Sequence, residues 1–161
     1  MKKSFSVMPR LPLTKGINKK QKTTVLVGGC FDVLHLGHII FLEKAKKLGD
    51  KLIILLESDE NIRKNKGTNR PINNQENRAK MLMALRSVDK VIKLPEMKSA
   101  EEYIILIKKI KPTIIAVTKG DERLFQKKEQ AKIVGARLVE VTKQIPYQST
   151  SRIIEIIAQE Y

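Results

Sequence analysis

The sequence predicts an α/β fold: a single Rossmann-like domain with a five-stranded parallel sheet and helices on both faces. Short apolar, β-branched runs alternate with longer helical segments along residues 23–161, in the order β-α-β-α-β-α-β-α-β-α. Strands that alternate with helices form parallel sheets covered on both faces. A chain of 161 residues is long enough for one such domain with a substantial core.

Five runs are interpreted as strands because each is short, apolar and bounded by turn-forming residues. They cover residues 23–27, 51–56, 88–93, 113–117 and 137–141. Gly28-Gly29 is expected to form a tight loop after the first strand. Residues 58–74 are polar and are predicted to form a long loop, with at most a helical turn.

Helices are predicted between these strands from apolar periodicity and capping residues. They run from about residue 35 to 48, from 73 to 86, from 99 to 112, from 121 to 134, and from 149 onward. Two segments, Asn73 to Glu76 and Ser99 to Glu102, have the spacing of an N-cap with its reciprocal partner.

Composition narrows the class of protein. Apolar residues make up 42% of the chain and charged residues 30%, as in ordinary globular domains. No apolar run approaches the roughly 20 residues that a membrane helix needs. Cys30 is the single cysteine, so no internal disulfide can form. These features predict a cytoplasmic protein that does not enter a membrane.

The formal net charge is +15, which attracts phosphate-bearing partners. Residues 1–22 hold seven Lys or Arg and no acid, and are predicted to be a poorly ordered tail ahead of a domain at 23–161. Aromatic residues are only 4% of the chain and do not interleave with the basic ones. A solvated lysine-rich surface is therefore favoured over specific nucleic-acid binding.

The strongest functional signal is the loop after the first strand, Gly28-Gly29-Cys30-Phe31-Asp32-Val33-Leu34-His35-Leu36-Gly37-His38. The two histidines are three residues apart at a helix start, so they can face one ligand. Helix amino ends bind phosphate through free N–H groups. Two alternatives are a chance pairing of histidines and a zinc site with Cys30 and Asp32, but a second ligand segment is missing.

This loop resembles the first motif, His-x-Gly-His, of the cytidylyltransferase-like branch of the nucleotidyltransferase superfamily. The resemblance extends over residues 24–158, and is nearest to the adenylyltransferase domains of heptose-phosphate enzymes, glycerol-3-phosphate cytidylyltransferases and archaeal FAD synthetases. It implies catalytic roles for His35 and His38. It also implies nucleotide contacts by five residues of this loop, namely Gly28, Gly29, Cys30, Phe31 and Gly37.

The resemblance gives roles to residues that otherwise have simpler explanations. Lys64 and Lys66 lie in a basic segment that could merely be solvated, but relatives carry Lys-Gly here, followed by Arg-Pro, as in Arg70-Pro71. Lys66 is thus assigned to the triphosphate and to catalysis. Three residues, Asp32, Lys64 and Arg78, are assigned to the acceptor side, although Arg78 could be an ordinary surface arginine.

Two later segments complete the expected nucleotide site. Gly120-Asp121 resembles the family's glycine-acid turn and is expected at the ribose, although Asp121 could simply be a helix N-cap. Ser149-Thr150-Ser151-Arg152 resembles the second family motif and is expected to bind the β- and γ-phosphates, although it too could be an N-cap.

The implied reaction moves AMP or CMP from ATP or CTP to a small phosphorylated acceptor. Mg²⁺ would bind through the substrate phosphates, without a dedicated protein metal site. Residues 144–148 depart from the Arg-Thr-Glu-Gly-Ile of glycerol-3-phosphate cytidylyltransferases, which argues against glycerol phosphate. Residues 28–32 are closer to the Asn-Gly-Cys-Phe-Asp of the heptose-phosphate enzymes, so a sugar phosphate such as heptose 1-phosphate is favoured. The alternatives are glycerol 3-phosphate, FMN, or a catalytically silent nucleotide- or RNA-binding relative. A homodimer is also expected.

Overall fold

The computed structural model describes residues 22–146 and 148–160. Its strands are β1 (Thr24–Gly29), β2 (Lys51–Leu56), β3 (Lys90–Lys93), β4 (Ile114–Lys119) and β5 (Arg137–Lys143). Its helices are α1 (Leu36–Lys46), α2 (Asp59–Lys66), α3 (Gln75–Met83), α4 (Ala100–Ile110), α5 (Leu124–Val134) and α6 (Thr150–Glu160). The strands form one parallel sheet in the order β3-β2-β1-β4-β5, and the predicted fold class is confirmed.

Each face of the sheet has its own apolar core, because successive residues of a strand point to opposite faces. On one face, Val25, Val27 and Ile54 pack against residues of α1 and α3 such as Leu42 and Leu82. The other face packs against α4 and α5, through the buried residues Leu26, Ile53, Ile115, Ile107 and Ala131. The buried strands β1, β2 and β4 are apolar on both faces for this reason.

The strand order reverses between β1 and β4, which lie side by side although α1, β2, α2, α3, β3 and α4 separate them in the chain. These two strands pair only at Val25–Ile114 and Leu26–Ile115, although both continue toward their carboxyl ends. Toward their carboxyl ends the two strands no longer pair, so the sheet opens between them. Ligands of open α/β sheets bind at such a switch point, outside the carboxyl ends of the strands.

Three local predictions are wrong. Gly28 and Gly29 belong to β1, where they lie opposite Leu55 and Leu56, and so do not form a tight loop. The polar segment after β2 contains the whole helix α2, which begins after Ser58 and buries Asn61 and Ile62. The N-cap of α3 is Asn74 and not Asn73, because the Asn74 side chain accepts the bond from the Asn77 N–H.

The basic tail predicted for residues 1–22 lies outside the described residues, apart from Lys22. In the part of the chain that the structure describes, no helix combines the length and the apolar character needed to cross a membrane.

Candidate functional site

The two histidines lie at the amino end of α1, at the switch point of the sheet. His35 is the N-cap, with extended backbone, and His38 is the third residue of the helix. The His35 carbonyl accepts bonds from the N–H groups of His38 (2.9 Å) and Ile39 (3.3 Å). This spacing stacks the two imidazoles at 3.8 Å between ring centroids, with 23° between their planes. The predicted pairing of His35 and His38 is therefore present.

The turn before the helix is held in an unusual conformation. Phe31 has φ of +46°, in the left-handed region that bulky residues rarely adopt, and its side chain is buried. Its ring lies 5.0 Å from the His38 ring. A Cβ on Gly29 would come within 2.8 Å of this ring, so only glycine fits there. Phe31 and Gly29 thus help to place the His38 ring.

Gly37 is required by the close approach of the His35 ring. A Cβ at Gly37 would lie 3.0 Å from both Nδ1 and Cε1 of His35. The Nδ1 atoms of His35 and His38 are buried, and neither has a hydrogen-bond partner among the described residues. An N–H buried without an acceptor is costly. Each neutral imidazole carries one N–H group, so each ring can give one hydrogen bond to a ligand.

Both histidines are neutral near pH 7. Burial lowers the pKa of His35. Burial, together with the nearby His35 and the charge of Lys66, lowers the pKa of His38 to about 3. The pair thus supplies neutral hydrogen-bond donors in the free protein, and a bound polyphosphate would favour the protonated form.

Lys66 is the last residue of α2 and is exposed, so it does not lie on a loop as predicted. Its charge acts on His38, and it opposes the rise that burial causes in the pKa of Cys30. The ammonium group therefore lies within electrostatic reach of the histidine loop. Lys64 instead forms an ion pair with Glu96, beyond β3. The two lysines thus lie in different surroundings, although both belong to α2.

Asp32 is buried beneath the loop, and both of its carboxylate oxygens accept hydrogen bonds. Its carboxylate accepts bonds from the N–H groups of Ile72 (2.8 Å) and Asn73 (3.0 Å) and from Nε of Arg70 (2.6 Å). Burial alone would raise the pKa of Asp32, but these bonds outweigh it and hold the pKa below its usual value. The structure therefore places Asp32 as a support that ties the histidine loop to residues 70–73, and not as a surface open to the acceptor.

Arg78 is fully buried, so it is not an ordinary surface arginine. Its guanidinium donates to the carbonyls of Cys30 (2.5 Å), Glu57 (2.9 Å) and Asn73 (2.9 Å), and to the Asp59 carboxylate (2.6 Å). One side chain thus fastens the segments that follow β1 and β2. Arg78 thus organises the site from below, and four of its five N–H groups are bonded to these partners.

The start of α6 meets the histidine loop. Thr150 is buried, and its hydroxyl donates to the Val33 carbonyl at 3.3 Å. The Ser149 hydroxyl accepts from the Arg152 N–H at 3.2 Å and therefore caps the helix. Ser151 and Arg152 are exposed, and the Arg152 side chain pairs with Glu155 at 3.3 Å. The helix end that was predicted to bind phosphate thus lies beside the histidines, with backbone N–H groups and Arg152 as its donors.

The turn at Gly120, where φ is +80°, follows β4. Asp121 is not the N-cap of α5, which is Arg123. One carboxylate oxygen of Asp121 accepts from the Arg123 N–H at 2.8 Å, and the other binds Lys127 at 2.7 Å. The acid predicted to contact the ribose is therefore held in place by two local bonds.

Sequence reasoning missed a buried acid, Glu57, directly after β2. Its carboxylate accepts bonds from Tyr103 (2.8 Å) and from Asn61 (3.0 Å), and lies 3.6 Å from Arg123. Burial, and next the bond to Glu57, raise the pKa of Tyr103 to about 12. The available signal was an acid at the carboxyl end of an apolar strand, where ligand sites of parallel sheets lie. No three His, Cys, Asp or Glu side chains gather as metal ligands in residues 22–146 and 148–160.

Comparison with known proteins agrees with this geometry. The model of the family described as cytidylyltransferase-like matches residues 26–156, which contain both histidines and the start of α6. The chain belongs to this family. The resemblance inferred from His-x-Gly-His is therefore confirmed.

Two kinds of curated relative match most of the chain. FAD synthase of Pyrococcus abyssi is 42% identical over 148 residues, covering 86% of this chain and 95% of that protein. The bifunctional protein HldE of Campylobacter fetus is 40% identical over 144 residues, covering 88% of this chain. The match spans only 29% of the length of that HldE.

Solved structures share the fold. The lipopolysaccharide core biosynthesis protein of Thermoplasma volcanium superposes with a TM-score of 0.61 at 31% identity, covering 79% of this chain and 99% of that one. A pantoate-beta-alanine ligase of Francisella tularensis gives a TM-score of 0.58 at 17% identity, a likeness of fold alone.

Proposed function

We propose that the protein transfers a nucleoside monophosphate, AMP or CMP, from ATP or CTP to a small phosphorylated acceptor. The observation that carries this proposal is the stacked histidine pair at the amino end of α1, with the start of α6 beside it and Lys66 within electrostatic reach. ATP is favoured over CTP, since the relatives include FAD synthase and the HldE adenylyltransferase domain.

The chemistry requires no protein nucleophile. An oxygen of the acceptor phosphate attacks the α-phosphorus, a new P–O bond forms, and the bond to the β-phosphate oxygen breaks. Pyrophosphate leaves with the electron pair. The task of the protein is therefore positioning and stabilisation of charge on the phosphate oxygens.

Each group has a role that follows from its place. The imidazole N–H groups of His35 and His38 donate to oxygens of the reacting phosphate. Lys66, Arg152 and the backbone N–H groups of α6 face the β- and γ-phosphates, where charge accumulates on the leaving group. Cys30 is a packing residue, because burial raises the pKa of its thiol.

Mg²⁺ fits this site as a companion of the nucleotide. The described carboxylates near the loop are occupied, since Asp32 binds Arg70 and Asp59 binds Arg78. Phosphate oxygens would hold the ion and share their charge with it. The residues of the protein would then orient the two substrates and donate hydrogen bonds to their phosphate oxygens.

Two acceptors have specific support. A sugar phosphate, such as heptose 1-phosphate, is favoured by the match to HldE and by the departure at residues 144–148 from glycerol-3-phosphate cytidylyltransferases. FMN is the second candidate, because the FAD synthase match covers 95% of that relative. A homodimer is an additional proposal, which sedimentation of the purified protein tests.

The test is pyrophosphate release from ATP, CTP, GTP and UTP, each with heptose 1-phosphate, glycerol 3-phosphate or FMN. We expect release that depends on an acceptor and is fastest with ATP or CTP. A protein that binds ATP but releases no pyrophosphate with any pair would be the silent binding relative.

A further inference from the structure

We propose that a cavity on the β2–β3 side of the site binds the hydroxylated body of a sugar phosphate acceptor, and that Glu57 positions its walls. This inference rests on the proposed nucleotidyl transfer and adds the location and chemistry of the acceptor site. The cavity has a volume of about 380 Å³, within the range of small-molecule sites.

The walls of the cavity come from three parts of the chain. Helix α2 contributes Asn61, Lys64 and Asn65, and residues 97–100 lie opposite, after β3. Tyr103 of α4 and Arg123, at the start of α5, complete the lining. All three parts lie beyond the carboxyl ends of the strands, at the same edge of the sheet as the histidine loop.

The cavity and the start of α6 lie on different sides of the histidine loop. Thr150 joins α6 to Val33 of that loop, and Gln148 lies 3.5 Å from the Cβ position of Gly37. The cavity instead opens beside α2 and α4, beyond β2 and β3. A triphosphate held by α6 and an acceptor held in the cavity would thus approach the histidines from two sides, as in-line transfer requires.

Charges link the cavity to the reacting centre. Arg123 lines the cavity and lies 3.6 Å from Glu57. The Glu57 N–H donates to the Gly29 carbonyl at 3.1 Å, and Arg78 donates to the carbonyls of both Glu57 and Cys30, so the inner end of the cavity lies beside the start of the histidine loop. A phosphate at this end would meet Arg123, while the rest of the acceptor extends outward.

The outer lining suits hydroxyl groups. Asn65, Lys98 and Ser99 are exposed and polar, and Lys64 is held by Glu96. Amides, hydroxyls and ammonium groups donate to and accept from the hydroxyls of a sugar. Met97 and Ala100 are the apolar members of the described lining. Six of the nine described lining residues are polar or charged, against Tyr103, Met97 and Ala100, and this balance favours a hydroxylated sugar over a flavin ring.

Glu57 fixes the geometry of this lining without being exposed to it. Its side chain is only 7% exposed, and its carboxylate binds Asn61, Tyr103 and Arg123. Asn61 also donates to the Met97 carbonyl at 3.1 Å, which joins α2 to the opposite wall. Glu57 is therefore a positioning residue, because it holds the groups that face the acceptor.

The experiment measures KM for each substrate in wild-type protein and in the exposed variants Asn65→Ala and Lys98→Ala. ATP with heptose 1-phosphate and ATP with FMN are the two substrate pairs. Lys108→Ala is the matched control, since Lys108 is an exposed lysine near the other end of α4. We expect KM for heptose 1-phosphate to rise about tenfold in each cavity variant, the effect of one lost hydrogen bond. KM for ATP should stay unchanged, and Lys108→Ala should match wild type.

Glu57→Gln tests the positioning role in the same assay. It should raise KM for the sugar phosphate while kcat at saturation falls less than threefold. A general loss of fold would instead lower the apparent kcat and leave KM unchanged. The proposal is overturned if the variants change KM for ATP instead, or leave the sugar phosphate KM unchanged, or if FMN is the more efficient acceptor. A wild-type protein that releases no pyrophosphate with either acceptor contradicts the proposed function itself.

Discussion

The histidine loop and the acceptor cavity lie at the same edge of the sheet but are built in different ways. The loop is supported from below by the buried side chains Asp32 and Arg78, whose bonds fix the backbone that carries His35 and His38. The cavity has two buried polar supports, Glu57 and Asn61, and a lining whose other polar residues are largely exposed. We infer from this difference that the loop holds the histidines for the chemical step, and we propose that the cavity selects the acceptor.

The largest expected effect lies in the loop. His38→Ala or His35→Ala should lower kcat about 100- to 1000-fold, or about 2.7–4 kcal/mol, the usual cost of removing one preorganised donor. The fold should remain, because both rings lie at the rim of the core. Steady-state pyrophosphate release measures kcat, and circular dichroism measures whether the fold remains. Wild-type turnover in the double variant would show that chemistry occurs elsewhere.

Removing the buried Arg78 side chain beneath the loop should destabilise the protein more than removing an exposed ion pair. Arg78→Met leaves the Asp59 charge and three carbonyls without their partner, and should lower the free energy of unfolding by about 3–5 kcal/mol. Arg63→Met is the control, since Arg63 makes only an exposed ion pair with Glu60 and should cost less than about 1 kcal/mol. Urea unfolding measures the free energy of unfolding of both variants. Equal losses of stability in the two variants would contradict the supporting role of Arg78.

The strands and the histidine pair could be predicted from the sequence, whereas helix α2 and the buried support beneath the loop could not. The apolar runs predicted all five strands, and the spacing of His35 and His38 predicted the paired imidazoles. Helix α2 was missed because Ile62 is its only apolar residue, and the Ser58 cap and the buried amide of Asn61 stabilise it instead. The contacts of Arg78 were not predictable, since they join segments that only the fold brings together.

Lys66 and Lys64 both belong to α2, but Lys66 is assigned to the histidine loop and Lys64 to the cavity. Lys66→Met should lower kcat and kcat/KM together by roughly tenfold or more, because it removes an interaction made in the transition state. Lys64→Met, at the cavity, should raise KM for the acceptor and spare kcat. Full kinetics with ATP and heptose 1-phosphate compare them. If Lys66→Met raised only the acceptor KM, Lys66 would belong to the cavity and not to the triphosphate.

A smaller effect is expected from pH. The folded protein holds the pKa of His38 near 3, below its ordinary value of 6.5, so between these values only the unfolded chain binds the proton. This contribution to stability is fully present above pH 6.5 and is lost as pH falls. His38→Asn should flatten that dependence, by at most about 1.4 kcal/mol per pH unit. Urea unfolding at pH 7, 5.5 and 4.5 measures it, and parallel curves for both proteins would contradict the low pKa.

The smallest effect is expected from the basic amino-terminal segment. Deleting residues 1–21 should leave kcat and both KM values within about twofold, since the groups proposed for chemistry all follow β1. Kinetics and thermal melting of the truncated protein test this. Loss of activity or of folding would assign the segment to the domain.

The most direct test of the account follows the phosphorus atoms. ATP labelled at the α-phosphate and ATP labelled at the γ-phosphate are each incubated with the protein and heptose 1-phosphate, or with FMN if that is the better acceptor. We predict that the α label appears in the nucleotide-linked product and the γ label in pyrophosphate, and that both transfers fail in the His35→Ala/His38→Ala double variant. Transfer of the γ label to the acceptor, or no transfer of either label, would contradict nucleotidyl transfer at this site.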